Sequence, residues 1–522
     1  MEPSRVSEKI NRAAQELFPL IEAGEKDKVL AKISAFQDSE PGARYTLARL
    51  LVSTGQAQRN RAILECGIEA FERLKTKAAP PADPVLYYDV ANGYLELYSI
   101  AVQDERANVF DCEDSARKAL RYAQRGPQGD TWALTNLGNL YDEVGRPVEA
   151  LRAYGRALAI DPDFGMALGN QAVTIQALAP ITRYPVTHLI QAHQLYQQAL
   201  ANPDSIATAG LGGSLESFRT ADDAIVRYLT NTGLEDRLDQ NLRHDPRDDS
   251  ALTDFVRFYT RFCLEQDLYL NLHLADRTAQ ASVGDEIVPP LVTSTEDGDQ
   301  EQRVADIMFR LNEIIESYIT ARMALVQSQY VRDDFSALSE QTTLVNLLDY
   351  SASNIYVGHL KMAYKEAFSA LDKIAILLNH YIGLGIPEGK CYYRTVWYEH
   401  GADGTPVDPR VVATKVKEQG WRLFGLYLLH HEVGGKYADI RNILTHRYLR
   451  VFRTVKGPQH TYLFEDLTTI TTEVLYKVKC AIILVTGVST VMPMPLTSRR
   501  FFIPWPEAIT VAVLSRMVMP SV

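Results

Sequence analysis

The sequence predicts an all-α protein in which an α-solenoid of helical repeats precedes a helical bundle. Two observations carry this prediction. Residues 131–164 have the spacing of a helix pair that recurs in the first part of the chain, and apolar residues recur at helical intervals after residue 302. With 522 residues, 46% of them hydrophobic, the chain is long enough for roughly two to four packed units. We expect repeats over 1–205, an irregular helical region and linker over 206–302, and a bundle over 303–522.

The helix pair at 131–164 combines small and aromatic residues. Small side chains let two antiparallel helices approach closely, aromatic rings fill the gaps, and Asp161-Pro162 stops the second helix. The segment resembles a tetratricopeptide repeat at Leu137, Gly138, Tyr141, Gly145, Ala150, Tyr154, Ala157 and Pro162. Degenerate copies precede and follow it, which predicts a solenoid from about residue 30 to residue 205. A protein or peptide partner is expected on these repeats.

Two segments between the repeats and the bundle are predicted to lack regular structure. Gly210–Ser214 is glycine-rich, but no Gly-Lys-Ser/Thr follows and no strand precedes it, so we interpret it as a flexible connection. Ala279–Gln302 is rich in Gly, Pro, Ser and acidic residues and is predicted to be a linker or a long surface loop.

The bundle is predicted from five apolar segments with helical spacing. They cover 303–330, 352–384, 410–433, 437–454 and 468–487. The aromatic-rich segments Cys391–His400 and His460–Asp466 are expected to form short strands or ordered loops.

Charge is distributed unevenly along the chain. The net charge is −11, but residues 1–302 carry 30 basic and 45 acidic residues, whereas residues 303–522 carry 24 and 20. The second part is therefore the better candidate for an anionic partner.

The longest apolar stretch, Cys480–Pro493, is too short to span a bilayer, and the N-terminus lacks the apolar core of a signal peptide. Five widely spaced cysteines fit a reducing compartment, so we expect a cytoplasmic protein without membrane contact.

The sharpest local pattern lies in the predicted helix 437–454. Ile440, Leu444, Tyr448 and Val451 or Phe452 recur at helical spacing and are expected to form its buried stripe. Asn442 and His446 are four residues apart and lie on a different face, with Arg441 beside them. A basic run without intervening acids follows, formed by Arg447, Arg450, Arg453 and Lys456.

Arg441-Asn442-x-x-x-His446 on a late helix of an all-α domain resembles the RNxxxH motif of the HEPN superfamily, many of whose members are metal-independent endoribonucleases of toxin and antiviral-defence systems. The resemblance implies RNA as substrate, no cofactor or metal, and a homodimer whose composite site takes Arg441 and His446 from both subunits. Asn442 would orient His446 or contact the phosphate, and the basic run would bind RNA. Asp372 and Glu366 are both candidates for a further polar group, and the sequence does not choose between them.

Other interpretations of the same residues stay open. Five Arg-x(4–6)-His matches occur in the chain, and only Arg441 to His446 lies within one predicted helix. A non-catalytic adaptor, with the bundle serving for dimerisation or nucleotide binding, is the alternative to a ribonuclease. His430-His431-Glu432 is not interpreted as a metal site, because adjacent histidines on a helix point about 100° apart and no third ligand follows.

Overall fold

A computed structural model describes residues 5–36, 43–77, 84–102, 108–209, 213–238, 248–272, 282–289, 298–343, 350–453 and 461–489. Within them, 20 α-helices and one three-stranded sheet confirm the all-α class. The described residues form two compact units. The first comprises residues up to Thr174 together with His193–Arg227, and the second comprises Ile175–Ala192 together with the described residues from Tyr228 onward. The domain boundaries placed after residues 205 and 302 stay predictions.

The first unit begins with four pairs of consecutive helices. They are α1 (Arg5–Glu22), α2 (Lys26–Ala35), α3 (Ala43–Ala57), α4 (Arg61–Lys77), α5 (Pro84–Val102), α6 (Glu113–Ala123), α7 (Thr131–Glu143) and α8 (Pro147–Ile160). The helices α9 (Gly165–Leu178), α10 (Pro185–Ala201), α11 (Pro203–Ala209) and α12 (Ser214–Asn231) follow in the chain, and α9, α10 and α12 each contribute residues to both units. The two helices of each pair pack against one another, and each of the first three pairs packs against the next pair, as expected for repeats that bury their faces on their neighbours.

The pair α7 and α8 shows why its small residues are needed. A Cβ atom placed on Gly138 would lie 2.3 Å from Cε1 of Tyr154, so only glycine lets this ring lie against α7. The hydroxyl of Tyr154 donates to Oδ1 of Asn139 at 2.9 Å, and the same oxygen accepts from the side-chain amide of Asn170 on α9 at 2.7 Å. The buried ring thus fixes one helix pair and, through Asn139, the start of the next.

The second unit contains α13 (Asp254–Glu265), α14 (Gly298–Gln329), α15 (Asp333–Glu340), α16 (Ile355–Ile382), α17 (Thr414–Glu418), α18 (Trp421–Glu432), α19 (Lys436–His446) and α20 (Phe464–Ser489). Its core is formed by α14 packed along α16, with α20 against both. The sheet joins β1 (Ser351–Ala352), β2 (Arg450–Phe452) and β3 (Thr461–Leu463), with β2 antiparallel to β1 and parallel to β3.

Part of the segment predicted as a linker is instead packed into the second unit. Arg322, buried on α14, forms an ion pair with Asp285 at 2.7 Å and donates to the carbonyl of Leu268 at 2.9 Å. The buried Oε1 of Glu286 lies 3.0 Å from Nε2 of His188, so residues 282–289 are held by an ion pair and a buried polar contact that their composition did not reveal. Residues 298–302, also assigned to the linker, belong to α14.

Two predicted helices of the bundle differ from the structure. The single helix expected over 410–433 is broken at Gly420, whose φ of +55° separates α17 from α18. The helix expected over 437–454 ends at His446, and residues 450–452 pair as a strand with β1 and β3. The first aromatic-rich segment forms isolated bridges at Tyr398 and His400, and Thr461–Leu463 of the second forms β3. The predicted flexible connection at 210–214 lies largely outside the described residues.

Gly138→Ala should destabilise the repeat unit, because the added methyl group overlaps the buried ring of Tyr154. We expect a loss of about 1–3 kcal/mol in the free energy of unfolding, measured by urea denaturation. Gly155→Ala on α8 is the matched control: nothing lies within 4 Å of its added Cβ, so it should be neutral or slightly stabilising. Equal stability of the two variants would show that α7 and α8 pack less closely than described.

Candidate active site

The helix α19 carries the three residues of the predicted motif. It begins after Gly435, whose φ of +57° suits glycine, and ends at His446, after which Arg447 is extended. Along α19, the Arg441 side chain is 31% exposed, whereas Asn442 and His446 are exposed. Within the described residues, the His446 side chain has no hydrogen-bond partner. Its imidazole is thus an exposed group at the C-terminal end of α19.

Arg441 is held by partners on two sides. Its Nη2 donates to Oδ2 of Asp372 on α16 at 3.3 Å, and its Nη1 donates to Oδ1 of Asn442 at 3.4 Å. These two long contacts leave further N–H groups of the guanidinium for another acceptor. Asn442 therefore contacts Arg441, and the described residues contain no hydrogen bond between Asn442 and His446.

Between the two acidic candidates on α16, the structure brings Asp372 to the motif and not Glu366. Glu366 makes no hydrogen bond or ion pair with the described residues. The choice follows from helical geometry, because Asp372 lies only about 20° around α16 from Lys361 whereas Glu366 lies about 140° away. Lys361 donates to the carbonyl of Leu449 at 2.8 Å, which shows that its face is the one turned toward the motif.

Asp372 lies in a partly buried site with competing electrostatic influences. Burial raises the pKa of its carboxyl, while the hydrogen bond from the backbone N–H of Tyr393 at 3.0 Å and the charge of Arg441 oppose the rise. Desolvation is the largest of these effects, so the net pKa of Asp372 is raised.

The buried stripe predicted for this region is wrong at its C-terminal end. Ile440 is buried, but Tyr448 is 94% exposed, because the chain leaves the helix after His446. Leu444 is half-buried, and Val451 and Phe452 are buried as parts of β2 rather than of a helix. In the predicted basic run, Arg447, Arg450 and Arg453 are all exposed, and Lys456 lies outside the described residues.

Comparison with protein-family models agrees with this architecture. Residues 298–490 match the LA2681-like HEPN family, and residues 131–164 match the tetratricopeptide repeat. The chain carries a tetratricopeptide repeat and a C-terminal HEPN domain. Comparisons with curated proteins and with solved structures gave no match.

Two further contacts with α16 fix α19 within the HEPN domain. The hydroxyl of Tyr364 donates to the carbonyl of Tyr437 at 2.8 Å, near the start of α19. Lys361 holds the carbonyl of Leu449 beyond its end. Together with the pair Asp372–Arg441, these contacts place polar anchors before, within and after the motif. The site is thus built on a long helix of the domain core, which keeps its side chains in fixed positions.

The side chain of His430 in the HEPN domain is held by contacts within the protein. It is buried, its Nε2 lies 3.0 Å from the hydroxyl of Tyr398, and its Nδ1 faces the carbonyl of Tyr427.

Among the described residues, no group of three or more His, Cys, Asp or Glu side chains could hold a metal ion. In the same part of the chain, no helix combines the length and hydropathy needed to cross a membrane.

The raised pKa of Asp372 predicts a pH dependence of stability. Because its carboxyl holds a proton more tightly when folded, its favourable contribution is complete below the unfolded pKa of about 3.9 and is lost as the pH rises through the folded value. We expect the melting temperature of the wild type to fall relative to that of Asp372→Asn between pH 4 and pH 7. A relative gain of the wild type over this range would mean that the ion pair with Arg441 outweighs burial.

Proposed function

We propose that the HEPN domain is a metal-independent endoribonuclease of the cytoplasm, with Arg441, Asn442 and His446 as its catalytic residues. One observation carries the proposal: α19 combines an exposed imidazole, which has no hydrogen-bond partner among the described residues, with an arginine that a partly buried carboxylate contacts. An imidazole changes its protonation near neutral pH and suits proton transfer, while a guanidinium suits a phosphate with increasing negative charge.

The reaction is attack of a ribose 2′-hydroxyl on the adjacent phosphorus. The O2′–P bond forms, the P–O5′ bond breaks, and the products carry a 2′,3′-cyclic phosphate and a 5′-hydroxyl. One group takes the proton of the 2′-hydroxyl and another gives a proton to the leaving O5′. Arg441 neutralises the charge on the non-bridging oxygens. The hydrogen bond that Asn442 accepts from Nη1 of Arg441 supports a role for Asn442 in orienting the guanidinium.

Two proton-transfer groups are required, and the motif supplies one histidine per chain. A homodimer that brings two copies of His446 to one phosphate provides both the base and the acid. It also brings two copies of Arg441 to the same phosphate. This requirement supports a composite site between two subunits. The exposed Arg447, Arg450 and Arg453, together with Lys456, would then bind the phosphates on either side of the cleaved bond.

The repeats supply the regulatory part of the proposal. Tetratricopeptide repeats present surfaces for proteins or peptides, so a partner bound there would control the ribonuclease. The resemblance to toxin and antiviral-defence HEPN proteins supports a role as a defence effector.

One observation favours a second function, that of a non-catalytic adaptor. Both Nη atoms of Arg441 already have partners in the protein, as in an arginine whose role is structural. In this alternative, the repeats bind a peptide and the HEPN domain serves for dimerisation or nucleotide binding. RNA would then stay intact in the presence of the purified protein.

Removal of the proposed proton-transfer group should abolish cleavage. We expect His446→Ala to slow cleavage of mixed RNA by at least about 100-fold in a buffer containing EDTA, since general acid–base catalysis contributes about 10²- to 10⁴-fold. Arg441→Ala should be similarly impaired. Melting curves matching the wild type would exclude unfolding as the cause. Cleavage by His446→Ala at the wild-type rate would reject the assignment.

Asp372 should act as a positioning residue through Arg441. We expect Asp372→Ala to lower kcat about 10- to 100-fold, because a displaced guanidinium no longer meets the phosphate correctly. Glu366→Ala on the same helix is the matched control and should cleave normally. In an Arg441→Ala background, Asp372→Ala should add nothing further. Additive losses would show that Asp372 acts independently of Arg441.

A further inference from the structure

Tyr448 is the most exposed large apolar or aromatic side chain of the described residues. Its side chain is 94% exposed, while Leu449 and Val451 beside it are buried. The backbone at this point is fixed, because Lys361 donates to the carbonyl of Leu449 and residues 450–452 form β2. Tyr448 is therefore an exposed ring on a fixed section of backbone, two residues beyond the candidate catalytic His446.

The surroundings of Tyr448 are basic. Arg447 precedes it, and Arg450 and Arg453 follow, all with exposed side chains. The sequence contains no acidic residue from Ile440 to Phe464. A single exposed aromatic residue is common on protein surfaces. An aromatic ring flanked by exposed arginines is a more specific arrangement, because it matches the two parts of a nucleotide: a flat base and a charged phosphate.

We infer that Tyr448 stacks on an unpaired base next to the cleaved phosphate, and so makes the site selective for single-stranded RNA. This inference rests on the proposed ribonuclease function. Two extended residues span about 7 Å, so a base on Tyr448 belongs to a nucleotide close to the phosphate at His446. In duplex RNA the bases are stacked on each other and cannot reach a protein ring, whereas unpaired bases can.

A second copy of the chain is a less suitable occupant of this surface. Around a two-fold axis the same residues face each other, so direct contact through Tyr448 would bring Arg447 and Arg450 of both copies together. Like charges in contact disfavour such an interface unless an anion lies between them. A dimer that joins two copies of His446 therefore leaves room for a polyanion at Tyr448, and RNA is the polyanion that the proposed function supplies.

The test separates stacking from catalysis. The His446→Ala protein is titrated with a fluorescent single-stranded oligoribonucleotide and with the same strand annealed to its complement. We expect tighter binding of the single strand, a loss of about tenfold or more when Tyr448→Ala is added, and near-normal binding with Tyr448→Phe, which keeps the ring. Tyr184→Ala removes another exposed tyrosine and should leave binding unchanged.

Cleavage kinetics and the molar mass of the protein complete the test. With His446 intact, Tyr448→Ala should raise KM for the single strand by a similar factor while kcat changes little. Unchanged binding in Tyr448→Ala, equal loss in Tyr448→Phe, or a dimer that dissociates in Tyr448→Ala would each overturn the inference. RNA that is bound through Tyr448 but never cleaved by the wild type would reject the ribonuclease proposal and leave Tyr448 as a contact for an unpaired base. Absence of RNA binding would reject both.

Discussion

The candidate site depends on the attachment of α19 to one face of α16. Three residues along that face contact α19 or the chain after it. Tyr364 contacts the start of the helix, Asp372 contacts Arg441 within it, and Lys361 contacts the backbone beyond its end. Because α16 is itself packed against α14 and α20, these contacts connect the motif to the core of the domain. The buried side chains of Ile440 and Ile443 turn one face of this short helix inward, and the polar contacts with α16 add to them in fixing its rotation. Its three anchors make the positions of Arg441 and Asn442 a property of the whole bundle.

The pair Asp372–Arg441 combines two opposing requirements. A nearby guanidinium favours the ionised form of a carboxyl group, whereas partial burial favours its neutral form. The raised pKa of Asp372 shows that burial is the larger effect. The single contact of 3.3 Å between Nη2 of Arg441 and Oδ2 of Asp372 occupies fewer N–H groups of the guanidinium than a short bidentate pair would. The basic residues beyond the helix have no acidic neighbours in sequence, so the negative net charge of the chain does not describe this surface.

The sequence predicted the elements that depend on local pattern and missed those decided by distant contacts. Apolar residues that recur at helical spacing over long segments predicted the bounds of α14, α16 and α20 closely. The spacing of small residues predicted α7 and α8. Asp372 could not be chosen over Glu366, because the face of α16 that meets α19 is defined only by the fold. The packed residues 282–289 looked like a linker because their order comes from Arg322, a buried charge on a helix that follows them.

The end of α19 shows how one backbone change alters the role of several side chains. Tyr448 lies eight residues after Ile440 and four after Leu444, so a continued helix would turn it toward the same buried face. The extended conformation at Arg447 ends that periodicity, and strand pairing of Val451 with Ala352 then favours alternation. Leu449 and Val451 become the inward residues, while Tyr448 and Arg450 are turned outward. The same step that ends the helix of the candidate site thus creates a basic, aromatic surface directly beside it.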